Sequence, residues 1–322
     1  MSFKNKESKK INDLIFKELI KRGYSLEGNT RIWNIADSKL WYLTPEQAQA
    51  YLDAEGSEQY RLAITDRGTK LIKDNINEIL EMLGNEPINI IDLGCGDGIR
   101  AVHLINFFKD KIKLRYCPID ISGYMVQKAI ETFSKLNSGS EIIDFKYNIS
   151  DFENLENVIP LLGKNNYNKN FFFLLGNTLG NFEINDLLYK IRSNMKEGDL
   201  LIVGAGVYNK DVEKLAESYE KNVNINKFLL HIPLQLGLNN EDVVFKTRFI
   251  NQRIEFYYTL KKEKVIKFRD KKIDFKEGDQ IIVAVAYKHD KDDILTYFNL
   301  YFDQVFIRFS EDNSHVLAIC KK

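Results

Sequence analysis

Residues 90–104 read IIDLGCGDGIRAVHL and place three glycines, Gly94, Gly96 and Gly98, within five positions directly after an apolar run. The whole chain of 322 residues holds only 18 glycines. Glycine adopts positive φ without a steric penalty and lets a ligand approach bare main chain, so the cluster marks a tight turn and a close backbone approach. Ahead of the turn, INIIDLG (88–94) is a β-rich run suited to a strand buried on both faces. Behind it, the apolar spacing predicts a helix over 99–109.

Downstream of this turn the chain alternates. Strand patterns at LRYCPID (114–120), EIIDFKYNI (141–149), NFFFLLG (170–176) and DLLIVGAGV (199–207) are separated by helical patterns, including 122–136 and 183–195. Such alternation predicts a parallel sheet with right-handed crossovers. Upstream, Ile11, Leu14, Ile15, Leu19 and Ile20 lie at helical spacing. LTPEQAQAYL starts a second helix with Thr44 as cap and Pro45 in the first turn, and KLIKDNINEILEML reads as one more helix ending at Gly84. Past Tyr208 come a helical segment, ESYEKNVNINKFLLHIPLQLGL, and two period-2 strands, RIEFYYTL and QIIVAVAYK. The chain closes with a helix at 291–302 and the strands QVFIRFS and HVLAICK, joined by the turn EDNS. The expected organisation is a helical cap part over 1–84, a core over 85–207, a substrate-binding insertion over 208–278 and core-completing elements over 279–322.

Charge excludes some partners. The 46 basic and 46 acidic residues cancel, which argues against a surface built for nucleic acid. No apolar run reaches membrane-span length, and the first residues lack an apolar signal core. Cys95, Cys117 and Cys320 have no metal-ligand spacing, and the four histidines are scattered, His103 reading as structural. A cytoplasmic enzyme, monomer or homodimer, without a metal site is expected.

The turn Asp92-Leu93-Gly94-Cys95-Gly96-Asp97-Gly98 lies where the first strand of a doubly wound sheet meets its helix, at the edge where ligands bind. A nicotinamide fingerprint, G-x-G-x-x-G, would need its third glycine at 99, where Ile99 stands. The spacing D-x-G-x-G-x-G instead resembles the first motif of class I S-adenosylmethionine (SAM)-dependent methyltransferases. Asp120 ends the next strand, 26 residues after Gly94. Its carboxylate can accept from both hydroxyls of a ribose, with Ile121 beside it; capping the following helix is its other reading, one for which Ser122 competes. At the end of the third strand pattern stand Ser150, Asp151 and Phe152, where the resemblance to class I methyltransferases implies contact with adenine, although Asp151 also reads as a helix cap. FFFLLGNTLGNFE (171–183) then runs into two Gly-Asn pairs, Gly176-Asn177 and Gly180-Asn181. An asparagine amide offers donors and an acceptor without charge, suited to holding an amine or carboxylate; turns using Asn for positive φ are the alternative.

LGNTLGNF resembles the L-G-S-T-I-G-N-F motif of the histidine-specific SAM-dependent methyltransferase family. CPIDIS, YLDAEGSEQYRLAIT and SYEKNVNINKFLL resemble further segments of that family in its order, from about residue 40 onward. The resemblance implies a class I, Rossmann-like α/β fold with a seven-stranded mostly parallel sheet, helices on both faces, and a cap from the N-terminal helices and the insertion after the fifth strand. It implies SAM as methyl donor, bound by Asp92, Gly94, Cys95, Gly96, Gly98, Asp120, Ile121, Ser150, Asp151, Phe152, Gly176 and Asn177. It also implies a substrate-holding Asn181 and, near the substrate carboxylate, Tyr219. The chain departs from the family in two places. TDRGTKLIKDN stands where histidine-specific members have a tyrosine-rich run, and Ala284-Val285-Ala286 stands where they have E-V-S. Alanines cannot hydrogen-bond an imidazole, and selectivity built on such contacts is lost without them. The expected acceptor is therefore a small amine or amino-acid-derived metabolite other than free histidine. Methylation of a protein side chain, or SAM binding without transfer, are the competing readings.

Overall fold

The computed structural model describes residues 11–57, 66–136, 141–142, 155–162, 167–176, 178–208 and 211–322. Asn12 accepts from the backbone N–H groups of Leu14 and Ile15, capping helix α1 (Asp13–Arg22), whose Ile15, Phe16 and Leu19 form the buried stripe. A short hairpin, β1 (Ser25–Glu27) and β2 (Thr30–Asn34), follows. Thr44 and Gln47 then cap each other's backbone at the start of α2 (Pro45–Glu55), with Pro45 in the first turn where no N–H is needed.

The single helix expected over 70–83 is two, α3 (Asp66–Asp74) and α4 (Ile76–Leu83). The cause is Asn75, whose buried amide donates back to the Leu71 carbonyl at 2.8 Å and competes with continuation of the helix. Beyond Gly84 the alternation is as expected: β3 (Ile88–Leu93), α5 (Ile99–Ile105), β4 (Leu114–Ile119), α6 (Gly123–Ser134), β5 (Glu141–Ile142), α7 (Leu155–Leu162), β6 (Lys169–Leu174), α8 (Ile184–Asn194) and β7 (Leu200–Gly206). Two helices, α9 (Val212–Glu220) and α10 (Val223–Gln235), replace the one helical segment expected after Tyr208, and Asn222 caps the second. Strands β8 (Val243–Ile250), β9 (Arg253–Leu260), β10 (Lys264–Phe268), β11 (Lys271–Phe275) and β12 (Gln280–Tyr287) precede α11 (Lys291–Tyr301), β13 (Gln304–Phe309) and β14 (His315–Lys321).

The fold is α/β. A seven-stranded sheet runs in the order β13-β14-β7-β6-β3-β4-β5. Strands β3 to β7 are mutually parallel, and β14 is antiparallel to its neighbours β7 and β13. Successive residues alternate between two cores. Ile91, Leu93, Phe172, Leu174, Leu201 and Val203 face α7, α8 and α11. Ile88, Ile90, Tyr116, Phe171, Phe173 and Ile202 face α3 to α6. Burial of both faces explains why these strands read as nearly unbroken apolar runs.

Apart from Asp92 near the carboxyl end of β3, a buried polar network lies at the amino ends of the strands. Asn89 donates to Asn170 Oδ1 at 3.0 Å and accepts from Arg115, while Asn170 donates to Asp199 at 2.9 Å. At the other end, the chain passes from β3 outward to β5 and then returns to β6 on the far side of β3. That reversal puts the topological switch point between β3 and β6, the crevice where open α/β sheets take ligands.

The described chain divides into two compact units. Residues 44–211 and 286–322 form the unit built on the seven-stranded sheet. Residues 1–43 and 212–285 form the other. Its five-stranded sheet has the order β1-β2-β12-β9-β8, with β2 and β12 parallel so that Ile32 aligns with Gln280. An aromatic row from Phe245, Phe256 and Tyr258 packs within it, with the Tyr219 ring 5.6 Å from that of Phe256.

Candidate functional site

The turn after β3 is held by its own backbone. The N–H groups of Gly94 and Cys95 both donate to the Ile119 carbonyl, at 2.8 and 3.1 Å, folding the loop onto the carboxyl end of β4. Gly94, Gly96 and Gly98 have φ of +67°, +54° and +76°, the left-handed region that side chains resist. Their surroundings differ. A Cβ on Gly98 would lie 2.9 Å from the Ala129 Cα, so this glycine lets α5 pack close against α6. A Cβ on Gly94 would press on Thr178 at 3.1 Å. Among the described residues, a Cβ on Gly96 would meet nothing within 4 Å. The middle glycine therefore fronts open space, the room needed by a ligand resting on main chain.

Asp120 joins the two loops at this edge. Its Oδ2 accepts from Gly96 N at 3.2 Å and its Oδ1 from Ser122 N at 2.9 Å. The helix cap is Ser122, whose hydroxyl accepts from Met125 N. Asp120 is thus free of that duty, and each of its oxygens keeps acceptor capacity. Burial pushes its carboxyl up to about 6, against the backbone donors of Ser122 and Gly96. Asp92 lies fully buried beside the loop. Burial raises it to about 7, opposed by the Tyr116 hydroxyl and aided by the nearby Asp120 charge. The Cys95 thiol is buried and pushed up by desolvation, so it packs as a small apolar group. Ile121 is half-buried next to Asp120.

At the end of β6, Gly176 has φ +74° and a Cβ there would collide with the Arg100 guanidinium. Arg100, in the first turn of α5, is ion-paired with Glu55 of α2. Burial raises the Glu55 carboxyl and the Arg100 charge opposes it. The 3₁₀ turn Thr178–Asn181 follows, anchored by buried Leu179 and by the Thr178 hydroxyl donating to the Leu175 carbonyl at 3.0 Å. Asn181 ends this turn half-buried. Ser150, Asp151, Phe152 and Asn177 lie outside the described residues.

In the other unit, Tyr219 sits half-buried in the last turn of α9. That helix is tied to β8 by the Thr247 hydroxyl donating to the Ala216 carbonyl at 2.7 Å. Ala284 is buried on β12 and Ala286 half-buried on the same strand face.

Sequence reasoning missed several polar groups. Arg100 and Glu55 carry no motif, and only their pairing in three dimensions reveals them. Lys288 is buried with its ammonium pushed down to about 8 by desolvation. Neighbouring His289 has both ring nitrogens buried without a hydrogen-bond partner among the described residues. His103 is exposed on α5. Among the described residues no His, Cys, Asp and Glu cluster could hold a metal ion, and no helix is long and apolar enough to cross a membrane. The donor set suits a nucleoside: a carboxylate for ribose hydroxyls beside a glycine cradle that leaves room above Gly96.

Similar folds are found among solved structures. An S-adenosylmethionine-dependent methyltransferase from Clostridium acetobutylicum is 12% identical, with 85% of this chain and 98% of that one covered and a TM-score of 0.46. A Pyrococcus horikoshii protein is 14% identical, with 86% and 98% covered and a TM-score of 0.46. The magnesium protoporphyrin IX methyltransferase of Synechocystis, solved with bound SAH, is 11% identical, with 85% and 93% covered and a TM-score of 0.44. No curated protein matches the chain. The family described as histidine-specific methyltransferase, SAM-dependent, matches residues 53–318, and the chain belongs to that family of SAM-dependent methyltransferases.

Proposed function

We propose that the protein methylates a nitrogen of a small amine or amino-acid-derived metabolite other than free histidine. One observation supports this reading: Ala284 and Ala286 stand on β12, the first buried, at positions where the family resemblance sets polar partners for an imidazole. An apolar wall favours an acceptor recognised by shape and by few hydrogen bonds.

SAM carries its methyl group on a positive sulfur and so supplies an electrophile already activated. The chain's own task is therefore positioning, which can contribute on the order of 7–11 kcal/mol. Asp120 would accept the ribose hydroxyls, Gly94, Gly96 and Gly98 would shape the main-chain seat, and Ile121 would pack beside the sugar. Ser150, Asp151 and Phe152 are assigned to adenine, and Gly176 and Asn177 to the end of the seat nearest the acceptor. Asn181 would orient the acceptor nitrogen through its uncharged amide, and Tyr219 would hold an acceptor carboxylate through its phenol. The acceptor must arrive as a free amine, which a dry pocket favours by penalising its cation. The enzyme would work in the reducing cytoplasm, where the three buried thiols Cys95, Cys117 and Cys320 remain free.

The test is incubation with SAM and a panel of primary, secondary and aromatic amines, with histidine as one member, following SAH by mass spectrometry. SAH release with a non-histidine amine, and little with histidine, is expected. Efficient histidine methylation would overturn the substrate assignment.

A further inference from the structure

Lys288 directly follows β12, within the unit of the seven-stranded sheet, and is 6% exposed. Its neighbours place it at the carboxyl edge of that sheet. The Tyr287 carbonyl lies 3.2 Å from the Cβ position of Gly180, in the turn that ends at Asn181. The His289 carbonyl accepts from Tyr208 N at 2.6 Å, just past β7. The Tyr287 and His289 rings lie parallel, 6.3 Å apart, and His289 packs edge-on against Tyr297 of α11. Side chains alternate along an extended chain, so Lys288 points the other way, to the side of Ala286.

Among the described residues, the Lys288 side chain has no ion pair and no hydrogen-bond acceptor. Charges nearby act on other groups. Glu183 before α8, with Asp290 and Asp293 at the start of α11, acts on His289, while Arg67 and Asp312 act on His315. Burial holds both imidazoles below their ordinary value, so near pH 7 they add no second cation. Both nitrogens of His289 and Nε2 of His315 are sealed, whereas Nζ of Lys288 retains accessible surface. Desolvation pushes the ammonium down to about 8. A buried lysine without a counter-ion is costly, and burial of this kind tunes lysines for proton transfer near neutral pH.

Attack on a methyl group needs a nitrogen lone pair, and an alkyl amine in neutral water is almost wholly ammonium. We propose that Lys288 is a catalytic base, taking the proton from the acceptor's ammonium as it enters beside the Asn181 turn. The N–H bond breaks and its electron pair stays on the acceptor nitrogen as the attacking lone pair. The proton bonds to the lone pair of Nζ, which yields it to water before the next turnover. This inference rests on the amine substrate proposed above. It narrows the acceptor to alkyl amines, whose ammonium form needs such a base.

The test uses the alkyl amine of the panel that releases most SAH, together with its β,β-difluoro analogue, whose weaker basicity leaves it largely as free base at neutral pH. Lys288→Met removes the base, while Lys288→Arg keeps a cation that cannot give up its proton. At pH 7 both variants should lower kcat/KM for the alkyl amine by about 10²–10⁴-fold, the range for general-base catalysis. For the difluoro analogue the loss should stay below about tenfold. The wild-type profile for the alkyl amine should level off near pH 8, where Nζ becomes neutral, whereas Lys288→Met should keep rising with the free-amine fraction. Wild-type activity in Lys288→Arg, or equal losses with the two amines, would overturn the inference. No SAH from the wild-type protein with any amine would instead remove the proposed function itself. A second readout needs neither turnover nor a folded variant. In wild-type protein labelled with carbon-13 at lysine Cε and saturated with SAH, one lysine signal should titrate near pH 8. Spectra in which every lysine titrates at about 10 or above would sink the idea.

Discussion

The Tyr116 hydroxyl donates to Oδ2 of Asp92 at 2.6 Å, linking neighbouring strands under the glycine loop. Asp92 is buried, and desolvation raises its carboxyl from 3.8 to about 7. Between those values the native state binds more protons than the unfolded chain, so this group's contribution to stability falls as pH rises through 7. Asp92→Asn keeps an acceptor for Tyr116 and removes the titration. Relative to wild type it should gain about 2–3 kcal/mol of stability between pH 5 and pH 8, the part of the titration that lies in that window. Tyr116→Phe should lose about 1–3 kcal/mol at pH 8, where the buried carboxylate loses its donor. Urea unfolding at the two pH values measures both.

Donor affinity should follow Asp120. Its carboxyl sits at about 6, and the ionised form is the better acceptor for two hydroxyls. Binding therefore favours loss of the proton, and SAH should bind more tightly as pH rises from 5 to 7.5, by at most about tenfold per unit. Asp92 interacts with Asp120, so the pair titrates together and the transition will be broad. Asp120→Asn should bind weakly with a flatter profile, and Asp120→Ala should abolish binding by calorimetry. Wild-type affinity in the alanine variant would remove the ribose assignment.

Two glycines of one loop should fail in different ways. At Gly98 a methyl would meet the Ala129 backbone at 2.9 Å with φ at +76°. Gly98→Ala should cost about 2–4 kcal/mol of stability, combining left-handed strain with overpacking. At Gly96 the methyl enters open space at φ +54°. Gly96→Ala should cost only about 1–2 kcal/mol in the melt. Its SAH affinity should drop at least about tenfold, because the methyl occupies the seat. Equal effects of both variants on unfolding and on SAH binding would contradict the division of labour.

This contrast shows what a sequence carries. The loop and its strands were legible because glycine spacing and unbroken apolar runs have local physical causes. Helix ends were legible where a cap was local, as at Thr44. The break at Asn75 was harder, since the same side chain serves inside a helix or ends one. Long-range features left no trace. Nothing in TRIWN announces a parallel partner at Gln280–Ile282, and β2 went unread. EDNS read as a hairpin turn, which it is, with Asn313 at φ +52°. Its Asp312 and Ser314 also bind Arg67, which arrives from a distant helix, and Ser314 lies 3.0 Å from the His315 ring. Residue roles that depend on such meetings are invisible to spacing and composition.

The Asn181 turn offers the last separation, between holding the fold and holding the acceptor. Leu179 anchors the turn in the core, Thr178 closes it, and Gly180 allows the Tyr287 carbonyl to approach a Cβ position at 3.2 Å. Among the described residues, the half-buried Asn181 side chain has no comparable structural task. Asn181→Ala should therefore change unfolding free energy by no more than about 0.5 kcal/mol. SAH binding should also be retained, whereas methyl transfer to whichever amine the panel identifies should fall by about ten- to hundredfold, the cost of one lost positioning hydrogen bond. Gly180→Ala should behave otherwise. Its methyl pushes the turn off Tyr287, costing about 1–3 kcal/mol in urea unfolding along with transfer activity. If Asn181→Ala loses stability as Gly180→Ala does while transfer per folded molecule stays intact, Asn181 belongs to the scaffold and the acceptor must be held elsewhere.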